Sequence, residues 1–166
     1  MAEALLIGRK NIVKFTSMSG GVDTDKFIQY VKIAQDKHAQ GFLGTDLFQA
    51  IQAKIIAGNL AGDYLALVND WIAPALIHWS MVEYLPFAAY TIANKGIYRQ
   101  SSENADNASK DEVDFLMEKE RDTAQYYTTR LIDHLSFNNS KYPEYNSNNN
   151  DDVFPDRQAN FSGWVL

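Results

Sequence analysis

The stretch from Asp63 to Asn94 constrains this chain more than any other. After Asp63 its only charges are Asp70 and Glu83, and around them lie Trp71, Ile72, Leu76, Trp79, Met81, Leu85 and Phe87. So apolar a run must either cross a bilayer or be covered by protein on several sides. Its charge-free runs fall short of the roughly 18 residues a membrane span requires. A central helix buried on several sides is the reading, with those seven residues contributing to the core. Pro74 and Pro86 interrupt the pattern. Each lacks an N–H and crowds the carbonyl four residues earlier, which predicts a bent or two-piece helix.

A buried central helix needs neighbours, and the flanking sequence supplies them. Gly8 to Phe15 reads as one or two helical turns carrying Ile12, Val13 and Phe15. Ser19-Gly20-Gly21 breaks the chain, and Asp23 or Thr24 then caps a helix over about 25–40. There Ile28, Val31 and Ala34 recur at helical spacing beside Phe27 and Tyr30. Gly41 stands where a C′ glycine would end it. Thr45 caps a further helix through Ala57, with Leu47, Phe48, Ile51 and Ile55 on one side and Gly58-Asn59 as its stop. Residues 95–108 lack periodicity and read as a loop. Ser109 and Glu112 have the spacing of a capping box. Behind them Val113, Leu116, Glu120, Ala124, Tyr127, Leu131 and Leu135 step by three and four along a helix of about 110–137. The expectation is an all-α fold: a bundle of about four main helices, one kinked by proline, with no sheet in the body.

The chain divides near Asn138. Residues 1–138 form the helical domain, and 139–166 an arm rich in asparagine with Tyr142, Tyr145, Phe154, Phe161 and Trp164 strung along it. So polar a segment builds no core of its own. Its aromatics are either anchors for a partner surface or a fold-back onto the bundle. Phe154, Phe161, Trp164, Val165 and Leu166 are the candidate anchors.

Composition narrows the function classes. Of 166 residues 46% are hydrophobic and 22% charged, and there is no cysteine. That excludes a disulfide scaffold, a thiol nucleophile and a cysteine zinc site. Net charge is −6 and the pI about 5.0, against a protein that grips nucleic acid by neutralising phosphates. Much of the acidity sits in residues 103–122, where three Lys/Arg face eight Asp/Glu for a net −5. MAEALLIGRK has neither the basic start nor the apolar length of a signal peptide, so a soluble, single-domain protein is expected.

No catalytic motif emerges. His38, His78 and His134 fall on different expected helices and share no metal-ligand spacing, and His78 within ALIHWSM reads as a hydrogen-bonded core histidine. GxGxxG, GxxxxGK[ST] and GxSxG are absent. Asp111/Glu112 and Glu118/Glu120 are read as the solvated side of their helix rather than as general acid/base pairs. Arg9, Lys10 and Lys14 form the densest basic cluster; it could touch phosphate, but three charges near the N-terminus are read as solvated. No catalytic residue, metal ligand or cofactor is assigned.

Several segments in order carry a resemblance: AQDKHAQGFLGTDLF (34–48), PALIHWSMVEYLPF (74–87), IANKGIY (92–98), EVDFLMEKERDTAQYYTTRLIDHL (112–135), YPEYN (142–146) and the terminal Trp164-Val165-Leu166. Together they resemble a family of head–tail connector, or adaptor, proteins of tailed phages of Bacteroidetes hosts, the crAss-like phages among them. The resemblance implies a structural virion protein, assembled in the host cytoplasm, that forms a ring of about a dozen copies below the portal. Its partners would be its own copies, the portal protein and the next ring or tail protein, with double-stranded DNA passing through the channel unbound. Under that implication Asp114, Glu118 and Asp122 are candidates to face the channel, where like charge lets DNA slide. A small helical interaction module is the alternative. So, less readily, is a small helical enzyme, for which Asp70, His78 and Glu83 are the available polar groups.

Overall fold

The computed structural model describes residues 3–88, 90–99, 108–149 and 152–158. The fold is all-α. Its elements are α1 (Arg9–Phe15), α2 (Thr24–Ala34), α3 (Gln40–Leu43), α4 (Thr45–Ile56), α5 (Gly62–Ala66), α6 (Ala73–Tyr84), the hairpin strands β1 (Tyr90–Ala93) and β2 (Gly96–Arg99), α7 (Lys110–Phe137) and α8 (Pro143–Ser147). Two π-helical turns fuse these into longer rods. Gln35–Ala39 joins α2 to α3, and Leu67–Ile72 joins α5 to α6. Four rods result: α2–α3, α4, α5–α6 and α7.

The rod from Gly62 to Phe87 is the centre of the molecule, with α2 packed along one part of it and α7 along another. Its length and a mean hydropathy of 1.2 would suffice for a membrane span, yet 61% of that apolar window is buried inside the protein, as in a core helix. The prolines act as the sequence leads one to expect, in a specific way. Pro74 cannot donate to the carbonyl of Asp70, and the helix widens just before it, so that Ala73 N–H reaches back to Val68 O. Pro86 sits where the rod tightens into the 3₁₀ turn Leu85–Phe87 and stops. Ile72, Leu76, Trp79 and Met81 are buried, Trp71 and Leu85 half-buried. Phe87, expected in the core, is 52% exposed and stacks at the surface on Tyr30 of α2, with ring centroids 5.6 Å apart.

Local signals fix the starts of α2 and α7. Asp23 Oδ1 accepts from Asp25 N, and Ser109 and Glu112 exchange both bonds of the capping box at α7. The glycine that ends α3 is Gly44, not Gly41. The chain stays helical through Phe42 and Leu43, which bury apolar side chains, and turns at Gly44 with φ +75 and ψ 158, a region essentially reserved for glycine. Thr45 is therefore the first residue of α4 rather than its cap.

One further expectation is corrected. Within the stretch read as a loop, Gly96–Arg99 forms a strand antiparallel to Tyr90–Ala93, around the turn at Asn94-Lys95. The expected absence of a sheet therefore holds for the helical body but not for this two-stranded projection. Of the two readings of the arm, the fold-back onto the bundle holds for its first aromatics. Tyr142 and Tyr145 are each 1% exposed and belong to the core, seated by α8, whose first residue is Pro143.

Candidate interaction surface

Three histidines and their neighbours form the polar cross-links of the bundle. His38 stacks on Trp79 with ring centroids 3.9 Å apart, and its Nε2 lies 2.9 Å from Glu83 Oε1, which also accepts from Lys37 Nζ at 2.7 Å. Burial holds the His38 pKa below the ordinary imidazole value against the pull of Glu83. Burial pushes the Glu83 carboxyl up, but Lys37 and His38 outweigh it and leave it below the usual range. His78 Nδ1 meets Glu120 Oε2 at 2.6 Å and stacks on Tyr127. His134 stacks on Trp71 at 4.1 Å and meets the Tyr142 hydroxyl at 3.2 Å. Its pKa is lowered by burial, with Lys141 adding to the effect and Asp63 opposing it.

These pairs tie the central rod to the Gln35–Ala39 turn on one side and to α7 on the other, and they separate the groups a small enzyme would have used. Glu83 turns to Lys37 and His38, His78 turns to α7, and Asp70 is exposed. Glu120, expected on the solvated side with Glu118, instead points inward to His78. Among the described residues no group of three or more His, Asp or Glu could share a metal ion. A small apolar cleft bounded by Ala39, Ile72, Trp79 and Leu131 has a volume of about 10 Å³, room for one water at most.

The arm is fastened as a strap over the junction of α3 and α4. Thr45 N donates to Val153 O and Val153 N to Thr45 Oγ1, both at 3.0 Å. Asp46 N donates to Asn148 Oδ1 at 3.1 Å, Asn149 N to Asp46 Oδ2 at 2.7 Å, and Asp156 N to Gly41 O at 2.8 Å. Helix α4 has no side-chain cap from its own N-cap residue, Gly44, so the strap satisfies its first two amides. Gly44 is the close point. A Cβ there would lie 2.7 Å from Pro155 Cδ and 3.0 Å from Asn148 Oδ1. Below the strap, Tyr64 Oη donates to Glu144 Oε2 at 2.6 Å; burial, and then that bond, raises the phenol's pKa, and Lys141 pairs with Asp63 at 3.2 Å.

Of the anchor candidates, Phe154 stands clear of the strap at 74% exposure, while Phe161, Trp164, Val165 and Leu166 lie outside the described residues. Asp114, Glu118 and Asp122 are all exposed on the first half of α7, and Asp114 lies 4.0 Å from Lys110. Sequence reading missed what surrounds them. Phe115 and Leu116 are 57% and 47% exposed on that half-helix, and Phe87, Tyr90 and Ile97 are exposed on the elements leading to it. Arg99 donates to Ala108 O at 2.7 Å, which holds β2 beside the start of α7. The hairpin and the first half of α7 thus carry exposed apolar side chains, and α7 carries exposed acids beside its own. The signal was available in Phe115, which falls off the stripe that faces α6.

The model of a family described as "Family of unknown function (DUF6712)" matches residues 39–155, a span from the first π turn to the strap. No curated protein and no solved structure matches the chain.

Proposed function

We propose that this chain, which belongs to the family DUF6712, is a structural subunit of a ring at the head–tail junction of a tailed phage, continuing the DNA channel below the portal and joining capsid to tail. The observation that carries the reading is the concentration of exposed apolar side chains on elements consecutive in the chain. Phe87, Tyr90, Ile97, Phe115 and Leu116 are exposed on the 3₁₀ turn, the two strands and the start of α7, where Asp114, Glu118 and Asp122 are exposed too. Brought together against a partner, such side chains form a protein–protein surface. The ordered resemblance to head–tail connectors supports the same reading. Its segments fall on the π turn and α4, on α6, on the hairpin, on α7 and on α8, the elements that build the core and carry these side chains.

In this proposal the bundle is the wall of the ring and the acidic half of α7 lies at or near the channel. Of Asp114, Glu118 and Asp122, the acids that the neighbouring copy leaves uncovered would repel the duplex and leave it no binding minimum. The residues after the strap, with Phe154, reach a neighbouring subunit, the portal or the next tail component. The experiment replaces Asp114 with lysine in the phage. Particles should assemble and release their genome more slowly. Normal release from normal particles places Asp114 away from the channel, and absence of the chain from particles overturns the proposal.

A further inference from the structure

We infer that the acidic first half of α7 in one copy binds the basic helix α1 of the next copy, a head-to-tail contact between two different faces of the same chain. The inference rests on the ring reading above and names the surfaces that would build it. Helix α1 carries Arg9, Lys10 and Lys14 and no acid, a net +3 over two turns, with Phe15 exposed beside them. Residues 110–122 carry three Lys/Arg against six Asp/Glu, a net −3, with Phe115 and Leu116 exposed among them. Within one copy these charges do not satisfy each other. Among the described residues no ion pair joins Lys10 or Lys14 to any acid, or Glu118 or Asp122 to any base.

The two faces also match in pitch. Lys10 and Lys14 are one helical turn apart, and so are Glu118 and Asp122, so each pair sets its charges about 6 Å apart along its axis. Each has an aromatic close by, Phe15 on one side and Phe115 on the other, so a contact would bury apolar surface between two salt-bridged rows. Because the two faces differ, a copy that uses one still offers the other. Such an interface propagates and closes into a ring when the rotation allows. A duplex is the weaker occupant for α1. Three cations neutralise few phosphates, and a chain of net charge −6 opposes the approach.

The absence of cysteine makes a direct test clean. A Lys14→Cys/Glu118→Cys double variant, oxidised across a concentration series, should give a ladder of disulfide-linked oligomers, while neither single variant does. In parallel, Lys10→Glu/Lys14→Glu and Glu118→Lys/Asp122→Lys variants should each self-associate at least tenfold more weakly than the parent by sedimentation. An equimolar mixture of the two should recover assembly, because opposite charges then alternate around the ring. Oligomers that persist in both reversal variants and form no ladder overturn this interface and leave the ring reading standing. Monomers throughout overturn the interface, and the ring reading is then decided separately, by whether particles contain the chain. Loss of binding to a short DNA duplex in Lys10→Glu/Lys14→Glu, with self-association unchanged, assigns α1 to DNA and also overturns it.

Discussion

Replacing Gly44 with alanine should cost this protein much more stability than its size suggests. Two effects add. At φ +75 and ψ 158 any residue with a Cβ is strained, by about 1–3 kcal/mol. The new Cβ would also lie 2.7 Å from Pro155 Cδ, 3.0 Å from Asn148 Oδ1 and 3.1 Å from Pro155 N, and a proline ring bound in a strap cannot rotate aside. Relief requires the strap to lift, which breaks Thr45 N to Val153 O, Asp46 N to Asn148 Oδ1 and Asp156 N to Gly41 O. At about 1 kcal/mol net for each bond the strap contributes roughly 3 kcal/mol, so the total loss is about 4–6 kcal/mol. The assay is urea unfolding, with hydrogen exchange at the Thr45 and Asp46 amides to report the strap alone. Gly58→Ala is the control. Gly58 has φ +67 but nothing within 4 Å of its would-be Cβ, so only strain of about 1–2 kcal/mol applies. Equal losses at the two glycines, or unchanged exchange at Thr45 and Asp46, would refute the reasoning.

Trp79→Ala should destabilise by about 3–5 kcal/mol, since the ring is buried and its Nε1 donates to Thr128 Oγ1 at 3.0 Å. Trp71→Ala, at a half-buried site, should cost less, and the reverse order in thermal melts would contradict the packing described. Stability should fall on acidification below about pH 6.5. His38 and His134 are both held below the ordinary imidazole value, so the unfolded chain takes up protons first. The loss develops as pH drops from that value through the folded-state pKa values, with Glu83 adding a further loss below about pH 4.5. Equal or greater urea resistance at pH 5.5 than at pH 7.5 would contradict this. Phe154→Ala should leave the melting temperature within about a degree, since the ring is 74% exposed, while weakening head–tail joining if it anchors a partner as proposed. A shift of several degrees would place that ring in the fold.

The helices were legible where local chemistry decides them. Asp23 and Ser109 cap as side chains of that kind do, and the three- and four-residue steps of α7 place Ala124, Leu131 and Leu135 in the core. Sequence reading failed where a distant segment supplies the missing partner. Gly41 looks like a helix stop until Asp156 and Val153 arrive from more than a hundred residues away to complete the junction at Gly44. The arm looked unanchored for the same reason. Asparagines that lower its apolar content are the groups that bind, with Asn148 accepting from Asp46 N and donating to Val153 O. Glu120 shows a limit of pattern reading, since a carboxylate on the inward stripe has to be read with a histidine on another helix. The candidate surface was legible as charge. Its apolar content was legible in part, since Phe115 falls off the inward stripe, whereas Leu116 falls on that stripe and is exposed all the same.

The measurement that bears most directly on the central claim is a reconstruction of the head–tail junction in particles of a phage whose genome encodes this chain. The account predicts a ring of about a dozen copies of this helical bundle immediately below the portal. In it, α1 of each copy should lie against the first half of the next copy's α7, with the strap closed over Gly44. Particles that lack the chain, or that carry it away from the channel axis, would contradict the account.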